Sequence, residues 1–339
     1  MNYQHSKARW PALGAGSGVV LASGLLAACG TTPAASPASV TARPAGAHLY
    51  VTNQLDGTLS VINTRMNKVT ATVPAGVGPE GVAVTQDGSR VYIADSGSAE
   101  VSVLDTANNK IVTTVAVGQS PTGIALSPNG QFLYVADGSS NKVSVIATRT
   151  NQVTATIPVG TSPVNLAVSQ DGTTVYVADE GSASVSVIDT RTNRVVRDLP
   201  AGKFPVAVAV TPDGGSVYAA NEQNASVSVI SVRTGKITAT IPTGEGPFDV
   251  TTAPNGRAAY VAVLGPGNVS AVSTQSNRIS GTVNDGPPGT DPFNIAATPT
   301  AIYLTSQAAG TLTVIDPSSL KITATITVGS SPWGVAVGP

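Results

Sequence analysis

The chain has 339 residues, with 18 Lys+Arg against 19 Asp+Glu, and only 11% of its residues are charged. That balance gives no support to a nucleic-acid surface or a polybasic membrane surface. Gly (35) and Pro (24) punctuate a chain of Val, Thr and Ala with 4% aromatics, which is β-strand material broken by turn formers.

In chain order, residues 1–9 carry Lys7 and Arg9 and no acid, and residues 11–28 are small and apolar. Leu26-Ala27-Ala28-Cys29 follows at once, and Cys29 is the single cysteine. A basic start, a short apolar run and a small-residue cleavage site describe a secretory signal over residues 1–28 rather than a membrane span. The last four residues resemble a bacterial lipobox, which implies cleavage before Cys29 and a diacylglycerol on its sulfur. The protein is then expected to be exported and held on the extracytoplasmic face of the membrane through that lipid alone. Residues 29–46 are rich in Ser, Thr, Pro and Ala without periodicity, the composition of an extended tether.

From residue 47 a Tyr returns every 42 residues, at Tyr50, Tyr92, Tyr134, Tyr176, Tyr218 and Tyr260, and after 43 at Tyr303. A period of about 40–45 residues with several short strands in each is the mark of a β-propeller, one blade per repeat. Each copy reads as four strands, a to d, separated by turn chemistry. Asp87-Gly88, Asn129-Gly130, Asp171-Gly172, Asp213-Gly214 and Asn255-Gly256 join strands a and b in five copies and supply positive φ. The expected fold is therefore all-β: a seven-bladed propeller of four antiparallel strands per blade over residues 47–339, without helices. The first strand, His48 to Asn53, is a strand b with no a before it. The last, Gly334 to Val337, is a strand a with no b after it. The two should share a blade and close the ring.

Tyr50-Val51-Thr52-Asn53, Val187-Ile188-Asp189-Thr190 and Pro79-Glu80-Gly81-Val82-Ala83-Val84 resemble the YVTN-type β-propeller repeat family of bacterial and archaeal surface proteins. The resemblance covers residues 47–339 and implies fold more than activity. The wider group includes lactonases, haem-carrying domains of nitrite reductases, and binding proteins.

Most catalytic signatures are missing. His5 lies in the signal, His48 alone builds neither a metal site nor a triad, and no cysteine cluster, phosphate loop or Gly-x-Ser-x-Gly elbow occurs. No cofactor or bound metal is expected. Asp95, Asp137 and Asp179, with Asn53 and Asn221, recur at the end of strand b, where an Asx side chain can cap the following amides. Asp105, Asp189 and Asp316 after strand c read the same way.

The copies disagree at the residues that follow the Pro opening strand a. Three consecutive copies place Phe248-Asp249, Phe293-Asn294 and Trp333-Gly334 there, in a chain with four Phe and two Trp, and Glu80 holds the position in the first copy. Between Pro247 and Pro292 the repeat gains three residues, within the loop that carries Asp285 and Asp291. Consecutive copies are neighbours in a ring, so these aromatics should touch at the rim of the channel beneath that loop. Aromatics with a few polar groups at a cavity mouth suit a small molecule, a glycan or a protein side chain. The candidate ligand-binding set is Phe248, Asp249, Phe293, Asn294, Trp333, Asp285, Asp291 and Glu80. Convergence of Asp249, Asp285, Asp291 and Asn294 would suit a hard cation such as Ca²⁺. The leading expectation is a monomeric, non-enzymatic surface binding protein with no nucleic-acid partner. A lactonase-like hydrolase or lyase, or an accessory subunit of a periplasmic or surface redox system, is the alternative.

Overall fold

In the computed structural model, residues 48–286 and 289–338 are described. The expected signal, Cys29 and the expected tether lie outside them.

Twenty-eight strands, numbered β1–β28 in chain order, form seven antiparallel four-stranded sheets. Six blades are continuous: β4–β7, β8–β11, β12–β15, β16–β19, β20–β23 and β24–β27. The seventh has the order β28-β1-β2-β3. Its inner strand β28 (Pro332–Val337) pairs with β1 (His48–Asn53) through Leu49↔Val337, Tyr50↔Ala336 and Val51↔Val335. The ring is thus closed by pairing between two strands within residues 48–338.

Strands b and c do not alternate between buried and exposed. Arg90–Asp95 and Glu100–Asp105 are buried at every interior position, because each blade is covered on both faces by its neighbours. Seven hydrophobic clusters fill the spaces between blades; one joins Tyr50, Leu59 and Val61 to Val91, Ile93 and Leu104 of the next blade. Only strand d shows the alternation of a half-solvated strand, as in Lys68–Pro74. The repeating Tyr carries its ring into this core and its hydroxyl across the seam: Tyr92 Oη donates to Asn151 Oδ1 at 3.0 Å and Tyr218 Oη to Asn277 Oδ1 at 2.9 Å.

Strand direction divides the disc into two faces. Strand a starts on the upper face, which therefore carries the b–c and d–a connections. The lower face carries the a–b and c–d turns. In the five Asx-Gly turns only the Gly takes positive φ (67–72°). The Asx side chain accepts the amide two residues on, as when Ser89 N donates to Asp87 Oδ1 at 3.0 Å. Contrary to the expectation of no helix, single 3₁₀ turns follow strand b at Gly138–Ser140, Glu180–Ser182 and Glu222–Asn224. Each ends on a left-handed residue, Asn141, Ala183 or Ala225, which turns the chain into strand c.

The Asx residues that end strand b are structural, but not by the expected route. Asp95 receives Ser102 Oγ of strand c at 2.6 Å and Gly76 N of the preceding d–a loop at 3.1 Å. It therefore locks two segments across the blade rather than capping its own turn. Asn53 and Asn221 do the same with the polarity reversed only toward strand c: Nδ2 donates to Ser60 and Ser228 at 2.9 Å each, while Oδ1 still accepts Gly329 N and Gly202 N. The aspartates after strand c are ordinary Asx turns, as at Asp316, which accepts Ser318 N and Ser319 N.

Candidate functional site

The upper mouth of the channel is built where strands a begin. Neighbouring inner strands approach closely there, and two kinds of residue at the third strand position permit it. Glycine leaves room: a Cβ on Gly81 would lie 2.3 Å from Thr122 O, and one on Gly334 2.5 Å from Glu80 O. Asx instead reaches across the seam. Asn165 Oδ1 accepts Val208 N at 3.3 Å, and Asp249 and Asn294 extend that pattern.

Asp249 lies on β20 (Pro247–Thr252) and Asn294 on β24 (Pro292–Ala297). Asp249 Oδ2 accepts Asn294 Nδ2 at 2.7 Å and Ile295 N at 2.9 Å, and Oδ1 accepts its neighbour Val250 N at 2.8 Å. Asn294 Oδ1 in turn accepts Val335 N of β28 at 3.1 Å. One side-chain chain thus ties three inner strands together. Thr305 Oγ1 adds a bond to Trp333 O at 2.8 Å. Asp249 is 6% exposed, and burial pushes its carboxyl up to about 7 against the N–H donors that hold it down.

On the same three strands the aromatic rings meet. Phe248 and Phe293 have centroids 3.7 Å apart, Phe293 and Trp333 4.3 Å, and Phe248 and Trp333 6.2 Å in an edge-on arrangement. Phe293 is buried between partners; Phe248 and Trp333 remain half-buried. The sequence expectation that these rings touch is met.

The acids of the enlarged loop do not join them as expected. Asp285 turns to Ser306, whose hydroxyl donates to Oδ2. Asp291 sits at φ 52°, the left-handed position before the Pro of strand a, and its carbonyl accepts Gln307 N at 2.9 Å. Among the described residues no group of three or more His, Cys, Asp or Glu could hold a metal ion. The convergence that a hard cation would need is therefore not formed: Asp249 and Asn294 meet, while Asp285 bonds Ser306 at the end of strand b and the Asp291 carbonyl bonds Gln307 N. Glu80, on β4 (Pro79–Val84), is next along the ring after Trp333 and 7% exposed. Gln54 Nε2 donates to its Oε1 at 3.0 Å, and burial pushes its carboxyl up to about 7.

Sequence reasoning did not single out Thr52 and Thr305, the hydroxyls that complete the seams beside Trp333. Thr52 Oγ1 donates to Glu80 O at 2.6 Å and accepts Gly334 N at 2.8 Å. Both occupy the repeat position held by Ala94, Ala136 and Ala178, and that substitution was the available signal. On the lower face, a polar cleft of about 750 Å³ opens between two blades, lined by residues including Asp213, Tyr218, Arg257 and Gln275.

Three stretches of the chain, residues 22–157, 106–202 and 149–252, match the family model of the lactonase, 7-bladed β-propeller. No curated protein sequence matches. Among solved structures, the chain resembles hydrazine synthase of Kuenenia stuttgartiensis, with TM-score 0.69 and 23% identity over 76% of this chain and 88% of that one. It resembles a functionally unknown protein from Desulfotomaculum acetoxidans, with TM-score 0.73 and 17% identity over 86% and 98% of the two chains. It also resembles the dihydro-heme d1 dehydrogenase NirN in complex with DHE, with TM-score 0.65 and 15% identity over 86% and 75%. Identities this low speak for a common fold.

Proposed function

The chain belongs to the seven-bladed β-propeller lactonase family, and within that fold we propose that it works as a binding protein, exported and lipid-anchored through Cys29, whose ligand docks on the aromatic rim. The observation that carries this reading is the contact of Phe248, Phe293 and Trp333, delivered by three successive inner strands to one mouth of the channel. The polar groups beside them, Asp249 and Asn294, are already committed to bonds between blades. Recognition then falls to ring faces, which suit the apolar face of a sugar or an aromatic or aliphatic side chain.

Trp333 is the single Trp of a 47–339 fragment, so its emission reports directly on the site. Titration with cellohexaose, chitohexaose and an aromatic-rich peptide should perturb that emission for one class. Calorimetry should then show that Trp333→Ala or Phe293→Ala weakens that ligand by about 2 kcal/mol, some 30-fold. Unchanged affinity in the Phe293→Ala/Trp333→Ala pair, with the fold retained, overturns the rim. For the anchor, Cys29→Ala should move the protein from the membrane to the soluble fraction.

A second reading, hydrolysis of a lactone, draws on the family membership and on two buried carboxyls, Asp249 and Glu80, each pushed up to about 7, the range that suits a general base. Acid release from glucono-δ-lactone, lost in Asp249→Asn or Glu80→Gln with the melting curve unchanged, would favour it over binding. A role beside a redox enzyme has fold likeness alone behind it.

A further inference from the structure

A formal charge of −1 conceals a division of charge between the two faces of the disc. The described residues include fifteen Lys and Arg, and twelve of them lie on the lower face. Arg65, Arg149, Arg191, Arg233 and Lys236 stand in c–d turns. Lys68, Arg90, Lys110, Arg194, Arg278 and Lys321 open strands that rise from that face, and Arg257 belongs to an a–b turn. Six acids share the face: Asp87, Asp105, Asp171, Asp189, Asp213 and Asp316, for a formal charge of +6. Arg197 and Asp198 sit midway along β15 (Arg194–Pro200). The upper face has Lys142 and Lys203 against the remaining twelve acids, a formal charge of −10. Half of those acids are buried, among them Asp95, Asp137 and Asp249.

Each of the seven blades contributes at least one basic residue to the lower face, and all twelve except the half-buried Arg90 are exposed. The outer turns place them around a broad disc rather than along a groove. Met66, 56% exposed, stands beside Arg65 in one of these turns.

We propose that the lower face is a docking surface for an anionic lipid bilayer, so that the propeller lies flat and presents its acidic, aromatic upper face to the medium. Basic side chains near an anionic leaflet are attracted within a Debye length, and a flat array brings many within that distance at once. An exposed Met among them can enter the headgroup layer. The six acids of the upper face that are not buried outnumber its two lysines, so that face repels the same surface and the orientation is fixed. The reading is independent of the aromatic rim and of the lipid on Cys29.

The test uses the 47–339 fragment, which contains every strand of the closed ring and lacks both the apolar leader and Cys29. It is sedimented with vesicles containing about one third phosphatidylglycerol and with pure phosphatidylcholine vesicles. Binding should occur to the first and not the second, and should fall at least about tenfold between about 0.05 M and 0.5 M NaCl. Arg191→Ser/Arg194→Ser/Arg233→Ser/Lys236→Ser should weaken it at least about tenfold, with Lys142→Ser/Lys203→Ser leaving it unchanged and all melting curves retained. Trp333 should stay unquenched by brominated lipids, as expected of the distal face. Absence of binding at low salt, equal binding to neutral vesicles, or quenching of Trp333 would overturn the proposal. Tighter retention of double-stranded DNA or heparin than of the vesicles would also overturn it and point to a soluble polyanion.

Discussion

Asp285 on the loop after β23 (Arg278–Asn284) accepts a hydrogen bond from Ser306, the last residue of β25 (Ile302–Ser306). In five other blades the end of strand b itself carries the Asx group that bonds strand c, as Asp137 does with Ser144 at 2.6 Å. In this blade the strand ends in Ser and the lengthened loop returns the missing carboxylate from the other side. The loop insertion that looked like part of a ligand site has a structural task.

Removing that carboxylate should therefore destabilise the fold. Asp285→Ala leaves the buried Ser306 hydroxyl without its acceptor, at about 1–3 kcal/mol. Adding Ser306→Asp restores the common arrangement, so the double variant should recover much of the loss. Urea unfolding of the four-member cycle gives the coupling; strictly additive losses would show that the two positions do not substitute for one another.

The buried Asx ring predicts the pH dependence of stability. Burial pushes Asp95, Asp137 and Asp179 each up to about 6. Folded values above the unfolded value of 3.8 mean that the folded state holds these protons more tightly. Their contribution is complete below about 3.8 and is lost as pH rises through about 6. Asp87, Asp171 and Asp213 act oppositely, because hydrogen bonds from Thr85, Ser169 and Thr211 hold them below 3.8. Their contribution is lost only on further acidification. The melting temperature should accordingly fall between pH 5 and pH 8. Asp95→Asn/Asp137→Asn/Asp179→Asn, which copies Asn53 and Asn221, should flatten that slope in calorimetric scans.

Closure of the ring rests on β28. Deleting residues 333–339 strips β1 of its inner partner and exposes a strand edge in a blade whose b strand is otherwise buried. A large drop in melting temperature with aggregation is expected by light scattering. A truncated protein that melts like the parent would rule out a shared blade.

Asp249 should prove a stability residue. Asn in its place offers a single acceptor oxygen to three N–H donors and sets its own amide against one of them. A loss of about 1–3 kcal/mol is expected in unfolding titrations, with Trp333 emission in the native state largely unchanged. Loss of ligand affinity at full stability would instead place Asp249 in direct contact with the ligand.

The blade count, the Gly turns and the shared terminal blade were legible in the sequence, because a 42-residue period places equivalent residues at equivalent points of a ring. The same logic made Phe248, Phe293 and Trp333 neighbours: consecutive copies are adjacent blades, and one repeat position is one height above the channel. Tertiary structure alone decided where the polar groups spend their bonds. Asp249 reaches Asn294 and Ile295 across one seam, and Asp285 reaches Ser306 from a loop, because hydrogen bonds depend on side-chain direction to within a fraction of an ångström, which spacing along a chain does not carry. Charge followed the same division. A total near zero said nothing of Arg191 or Lys236 on one face and Glu222 or Glu245 on the other. Strand direction sorts each turn to its face, and only the folded ring adds those turns into two opposed fields.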